Sequence, residues 1–338
     1  MGEITTVGLD LAKQVFQVHA VDAAGQVVLR KSLRRGQMTT FFAGLPRCLV
    51  GMEACATAHY WARELAALGH EVRLMPPQYV KAYVRRQKND AADAAAICEA
   101  VTRPAMRFVP VKSETQQAGL VLHRVRDLLQ RQRTMLINAL RGHLAEFGIV
   151  APQGPRHVAQ LAAVVRDETD GGVPEPARRV LLLLVEQFED VSGRLAALGR
   201  ELLARHRADP ASRRLATIPG IGPVTASTLA ATVTEPAAFR SGREFAAWLG
   251  LVPRQSSSGG KTRLGRISRR GDTELRRLLI TGAQAVLRWP RAVAANPWLR
   301  DLLARRPRLV VAVALANKLA RIAWAVLRHG TEFRPATA

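Results

Sequence analysis

The chain has 338 residues, 48% of them apolar, which is enough for two packed domains; Lys plus Arg outnumber Asp plus Glu by 50 to 27, a net charge of +23. Such an excess repels itself unless a polyanion neutralises it, so nucleic acid is the first partner implied and an anionic membrane surface the second; part of the excess reflects GC-rich codon usage. Cys48, Cys55 and Cys98 form no paired framework or CxxC zinc pattern, no signal-like segment opens the chain, and the longest apolar run, Leu309 to Ala316, is too short for a bilayer, so a disulfide scaffold, a zinc module and a membrane-inserted protein are argued against and the expected location is the cytoplasm.

Partial alternation over residues 4–21 predicts a hairpin with Asp10 near the end of its first strand. Ala23-Ala-Gly25 reads as a turn, Gln26 to Leu33 as a strand, Thr39 to Leu45 as a short helix, and Cys48 to Met52 as an apolar strand ending at Glu53. A helix from Tyr60 to Leu68 stops at Gly69, and a strand from Glu71 to Met75 stops at Pro76-Pro77. This order predicts an α/β domain over residues 1–112. Ser113-Glu-Thr-Gln116 is a capping box opening a long helix in which Leu122, Leu129 and Leu136 recur every seven residues. In a second long helix Leu181, Leu184, Phe188, Val191, Leu195, Leu198 and Leu202 form a heptad seam. The Gly- and Pro-bearing loop 151–176 between them favours pairing between chains over a hairpin within one. Residues 113–210 are thus a helical spacer, 211–330 a mainly helical domain, and 331–338 a tail.

Two regions carry chemistry. Asp10 and Glu53 each end a predicted strand, while Asp90 and Asp93 share one face of the first turn of a predicted helix, where the helix dipole favours negative charge. Alone, the helical pair reads as ordinary N-terminal charges. Together, the four acids can converge and hold Mg²⁺, the oxygen-ligated ion of phosphoryl transfer. The second region runs from Leu249 to Gly271. Between Arg254 and Arg277 it carries eight Lys or Arg against two acids, and Ser256, Ser257 and Ser258 precede Gly259-Gly260. A serine among arginines can attack a phosphodiester; the same loop also reads as a DNA-binding element without chemistry. Gly-Gly-Lys-Thr here is no P-loop, because Gln255 stands where glycine is required and Phe245 to Gly250 reads as helix. Ile218-Pro-Gly-Ile-Gly-Pro-Val-Thr-Ala226 reads as a helix-hairpin-helix turn whose Gly220 and Gly222 admit a phosphate, or as a plain tight turn. Leu275, Leu278, Leu279 and Val286 share a helix face, with Arg276 and Arg277 off it; Trp248, Trp289, Trp298 and Trp324 read as core anchors.

Gly8-Leu-Asp10-Leu-Ala-Lys13, Gly51-Met-Glu53-Ala54, Lys88-Asn-Asp90-Ala-Ala-Asp93-Ala94, Ile218-Pro-Gly-Ile-Gly222 and Leu251-Val-Pro-Arg-Gln-Ser-Ser-Ser-Gly-Gly-Lys261 occur in this order. In that order and spacing they resemble the DEDD transposases of insertion-sequence family one-ten, the Piv-like recombinases, over nearly the whole chain. Glu53-Ala-Cys55 resembles a large branch of that family; in the type member Gly-Thr follows the acid. The resemblance implies an RNase H/RuvC-like N-terminal domain binding Mg²⁺, with Mn²⁺ as substitute, through Asp10, Glu53, Asp90 and Asp93. It implies a coiled-coil spacer and a C-terminal transposase domain whose serine nucleophile matches Ser258 best, then Ser257 and Ser256. It implies donor and target DNA, a non-coding bridge RNA and a homo-oligomer, dimer to tetramer, as partners. Lys88, Gly220, Gly222, Arg254, Lys261, Arg263, Arg266, Arg269 and Arg270 are the expected nucleic-acid contacts. A junction-resolving nuclease that uses water and the acids alone, and a non-catalytic binding protein, are the alternatives.

Overall fold

The computed structural model describes residues 2–84, 89–154, 157–169 and 171–334. Backbone contacts divide the chain into two units, 1–117 and 118–338. The first holds β1 (Thr6–Asp10), β2 (Val15–Val21), β3 (Val27–Arg34), α1 (Met38–Ala43), β4 (Leu49–Glu53), α2 (Ala58–Ala67), β5 (Glu71–Met75), α3 (Pro77–Val80) and α4 (Asp90–Val101). Its sheet runs β3-β2-β1-β4-β5, antiparallel through the first three strands and parallel from β1 to β5. That is the α/β layout expected of an RNase H-like domain. Val7 and Leu9 of β1, Val50 and Met52 of β4, and Phe16 and Val18 of β2 alternate onto one face, where Met38, Phe42, Trp61 and Leu65 cover them. α4 covers the other face, and its Ala96, Ile97, Ala100 and Val101 pack with Met75 and Val80.

In the second unit, the long helices α5 (Glu114–Ala145, which starts in the first unit) and α7 (Glu175–Ala208) face each other. Leu129 and Leu136 meet Leu184, Phe188, Val191 and Leu195, and α6 (Val158–Arg166) closes the far end through Leu161 and Val165 against Leu140, Leu181 and Val185. This corrects the expected pairing between chains. The seam is met by the chain's own helices, because a heptad repeat specifies a partner face and not which molecule supplies it. Arg178 is buried, and its guanidinium donates to the carbonyls of Val164 and Val165 at 2.8 and 3.1 Å, satisfying the end of α6.

The remaining helices are α8 (Pro210–Ala216), α9 (Pro223–Thr232), α10 (Gly242–Trp248), α11 (Thr273–Arg288), α12 (Pro290–Ala294), α13 (Pro297–Arg305) and α14 (Arg308–His329). They enclose one apolar core with Leu215, Leu229, Phe245, Leu275, Leu279, Val311, Leu315 and Leu319 at its centre. Among the described residues α14 alone is long and apolar enough to cross a membrane, but its Val311, Ala312, Leu315, Ala316 and Leu319 belong to this core. Between α10 and α11 the chain forms a small antiparallel hairpin of β6 (Pro253–Gln255) and β7 (Leu264–Ile267), where a loop was expected.

Candidate active site

Gly8 lies opposite Gly51 in the parallel β1–β4 ladder, and Leu9 opposite Met52. Asp10 and Glu53 are the next residues on each strand. Strand alternation puts both acids on the face that carries the two glycines, which is the face under α4. A Cβ at Gly8 would stand 2.1 Å from the Ala94 carbonyl oxygen, and one at Gly51 2.7 Å from Val101 Cβ. Hydrogen in place of a side chain is what lets α4 lie this close to the sheet. The helix opens at Asn89, whose side-chain oxygen accepts from the Ala91 N–H at 2.9 Å and fixes Asp90 and Asp93 in the first turn.

Carboxylate oxygens of Asp10, Asp90 and Asp93 consequently lie within 4.8 Å of one another. Three like charges in so small a space repel, and an all-oxygen donor set of this kind fits a hard divalent cation. Glu53 stands at the end of the adjacent strand, outside that group of three. It still shares the neighbourhood: the Cys55 thiol is pushed up by partial desolvation first, and then by the charges of Glu53 and Asp10. Lys88 lies outside the described residues.

The serines sit on the hairpin. Ser256 N–H donates to the Arg263 carbonyl and Lys261 N–H to the Ser258 carbonyl, each at 3.0 Å, and Gly259 and Gly260 turn the chain at φ values of 55° and 74°. The hydroxyl oxygen of Ser257 accepts from Gln255 Nε2 at 3.0 Å and from the Arg263 N–H at 3.3 Å. Ser258, at the mouth of the turn, is exposed and its hydroxyl makes no such bond among the described residues. Arg254, Arg263, Arg266 and Arg269 line a concave surface of about 500 Å³ together with Ser256. Lys261 and Arg270 are exposed on the same hairpin. Arg276, expected off the apolar face of α11, is buried instead, and one guanidinium nitrogen donates to the carbonyls of Leu249 and Arg270 at 3.1 and 3.0 Å. It ties the two ends of the hairpin together. Its place three residues before Leu279, in line with Ala283 and Leu287, was the signal available for it.

α8 and α9 flank the turn at Ile218–Gly222. Gly220, at φ 91°, is pressed on α11: a Cβ on Gly282 would stand 1.9 Å from the Gly220 carbonyl oxygen. Gly220 is thus held by packing, whereas Gly222 has open space where a side chain would be and begins α9 without a side-chain cap. Of the two glycines, Gly222 is the exposed one.

A sequence profile described as "Transposase" matches residues 7–149, and one described as "Transposase IS116/IS110/IS902 family" matches residues 212–303. The chain is 53% identical to a probable family 20 transposase of Pseudomonas aeruginosa, over 98% of its own length and 99% of the relative's. It is 43% identical to the transposase for insertion sequence element IS1328 of Yersinia enterocolitica, again over 98% and 99%. To a pilin gene-inverting protein of Moraxella bovis it is 25% identical, over 82% of this chain and 80% of the relative. By these matches the chain belongs to the IS116/IS110/IS902 family of transposases, metal-dependent enzymes that cut and rejoin DNA.

Proposed function

We propose that this transposase rejoins DNA through a phosphoserine intermediate, with Ser258 as nucleophile and Asp10, Glu53, Asp90 and Asp93 as the metal-binding acids. The observation that carries the reading is the convergence of three carboxylates over a two-glycine floor, in a chain that also presents an unengaged serine on an arginine-rich hairpin. Mg²⁺, or Mn²⁺ in its place, held by the acids would supply Lewis-acid charge at the scissile phosphate. The Ser258 hydroxyl gives up its proton as its oxygen bonds to phosphorus; the bond from phosphorus to the leaving deoxyribose oxygen breaks, and that oxygen takes a proton. Attack by the hydroxyl of the incoming strand reverses these events and frees the serine. Arg254, Lys261, Arg263, Arg266, Arg269 and Arg270 hold the phosphate and the charge that grows on it, and Gly222 meets the backbone further along. Donor and target DNA are the substrates, and a bridge RNA from the element is the guide, in the cytoplasm.

Self-association into a dimer to tetramer belongs to the same reading. Since α7's seam is occupied, the face for it is the stripe of α5 left exposed, Val121, Val125, Leu128 and Met135, which also follows heptad steps.

The test is covalent trapping on a donor–target plasmid pair supplied with the element's flanking RNA. Wild type and Ser257→Ala should give a protein–DNA adduct, and Ser258→Ala none, with recombination falling by a factor on the order of 1000 or more, the scale of losing an attacking group. An adduct that persists in Ser258→Ala would remove the serine from this role. Metal-dependent cutting by wild type with no adduct at all would favour the junction-nuclease alternative.

A further inference from the structure

Trp289 is not the core anchor its residue type suggested. At the junction of α11 and α12 it is 69% exposed, in a unit where Leu309 and Val310 at the start of α14 are also exposed. The other tryptophans of this unit are engaged: Trp248 stacks on Phe245, Lys318 lies over Trp298, and Trp324 donates its indole N–H to the Pro236 carbonyl. Arg308 donates to the Leu287 carbonyl at 2.8 Å, which joins the first turn of α14 to the last turn of α11, beside Trp289.

The stretch of chain around Trp289 is strongly basic. From Arg288 to Arg308 the chain carries Arg288, Arg291, Arg300, Arg305, Arg306 and Arg308, all exposed, against the single acid Asp301. Among the described residues Arg288, Arg291, Arg305 and Arg306 make no ion pair with a carboxylate. A surface built to meet a protein is depleted of charge at its centre. An exposed indole with unpaired guanidinium groups on the residue before it and two residues after it is instead complementary to a polyanion with free aromatic bases. Bases in a duplex are stacked on each other; bases in a single strand are free to stack on an indole while arginines hold the flanking phosphates.

We propose that Trp289, with Arg288 and Arg291, forms a binding surface for single-stranded nucleic acid. The proposal does not rest on Ser258 or the acids, and its test involves no cleavage. The full chain is titrated, without divalent metal, against fluorescent oligouridine, oligothymidine and duplex DNA of equal length, followed by anisotropy. Trp289→Ala should weaken single-strand binding by roughly fivefold to a hundredfold, the loss expected for one stacked base, and leave duplex binding unchanged. Trp289→Phe, which keeps an aromatic face, should recover most of it. Arg288→Ala with Arg291→Ala should weaken binding and lower the salt slope by about 1 to 2. A loss confined to oligouridine would identify an RNA strand as the ligand, and one confined to oligothymidine a displaced DNA strand. Single-strand affinity within about twofold of wild type in Trp289→Ala, or an equal loss on duplex, would overturn the proposal. So would a drop in self-association by light scattering at unchanged oligonucleotide affinity, which would make the patch a face between copies.

Discussion

At position 8 an alanine methyl would enter the backbone of α4, 2.1 Å from the Ala94 carbonyl oxygen and 2.4 Å from the Cys98 nitrogen. Neither atom is the end of a flexible side chain, so the whole helix has to move, and with it Asp90 and Asp93. Gly8→Ala should therefore destabilise the first unit by about 3 kcal/mol or more, the upper range of core overpacking. It should also abolish titratable binding of Mn²⁺ at the acids. Gly36→Ala, where a Cβ meets nothing within 4 Å, is the control and should leave both unchanged. Calorimetric melting and Mn²⁺ titration of the two variants check this; normal Mn²⁺ binding in Gly8→Ala would show that the glycine floor does not position the acids. The placement of the acids at two strand ends and a helix start was legible in the sequence, because such ends are where carboxylates are either paired or functional. The reason for the glycines was not: that Gly8 and Gly51 stand opposite one another follows from strand register, which one-dimensional spacing does not carry.

Among the elements, the strands of the first unit and its helices α1, α2 and α4 were readable from apolar runs bounded by Gly, Pro or capping residues, while α3 was not expected. Nor was the β6–β7 hairpin. Its strands have three and four residues, and all but Ile267 are exposed, so no alternation marks them. What holds the hairpin is its neck. The buried Arg276 guanidinium joins Leu249 to Arg270, and Gly250 and Gly271 let the two ends approach. The second guanidinium nitrogen donates to the Thr273 hydroxyl at 3.2 Å, and lysine, with a single nitrogen, cannot hold all three partners in that geometry. Arg276→Lys should cost roughly 1.5–3 kcal/mol, the value of charge-assisted hydrogen bonds to buried carbonyls. Because the hairpin is rich in Arg and Lys, loosening should also show as faster tryptic cleavage between Arg254 and Arg270 under native conditions. Cleavage at the wild-type rate would mean that the neck glycines hold the hairpin without Arg276. The long helices teach the converse lesson: their period was correct, but the residues filling the seam came from the same chain.

For the molecule as a whole, the positive charge is unevenly shared: Lys and Arg outnumber Asp and Glu by 15 to 10 in residues 1–117 and by 35 to 17 in 118–338. Two titratable groups of the second unit are shifted far from their ordinary values, and these give opposing pH dependences. His123 of α5, buried against Ser227 and Thr228 of α9, is lowered from 6.5 to about 4, by desolvation first and then by Arg126 and Arg205. Between those values the unfolded chain binds more protons, so His123 makes stability rise with pH from about 4 to 6.5. Glu274, in the first turn of α11, is raised from 4.5 to about 7, by desolvation first, then by Asp127 and Asp272, with Arg277 and Arg126 opposing. Here the folded chain binds more protons, so Glu274 makes stability fall as pH rises from about 4.5 to 7. Over the shared range the two slopes offset each other, and the wild-type melting temperature should vary little between pH 5 and 6.5. Glu274→Gln keeps the neutral shape and removes the falling arm. Its melting temperature should climb through that range and exceed that of wild type above pH 7. His123→Gln should do the reverse, with a steady fall as pH rises, whatever its absolute level. Melting curves in matched low-salt buffers at half-unit steps read both slopes. If the Glu274→Gln curve runs parallel to wild type throughout, Glu274 is ionised at neutral pH and the acids at the base of α11 are held by Arg126 and Arg277 as ordinary ion pairs.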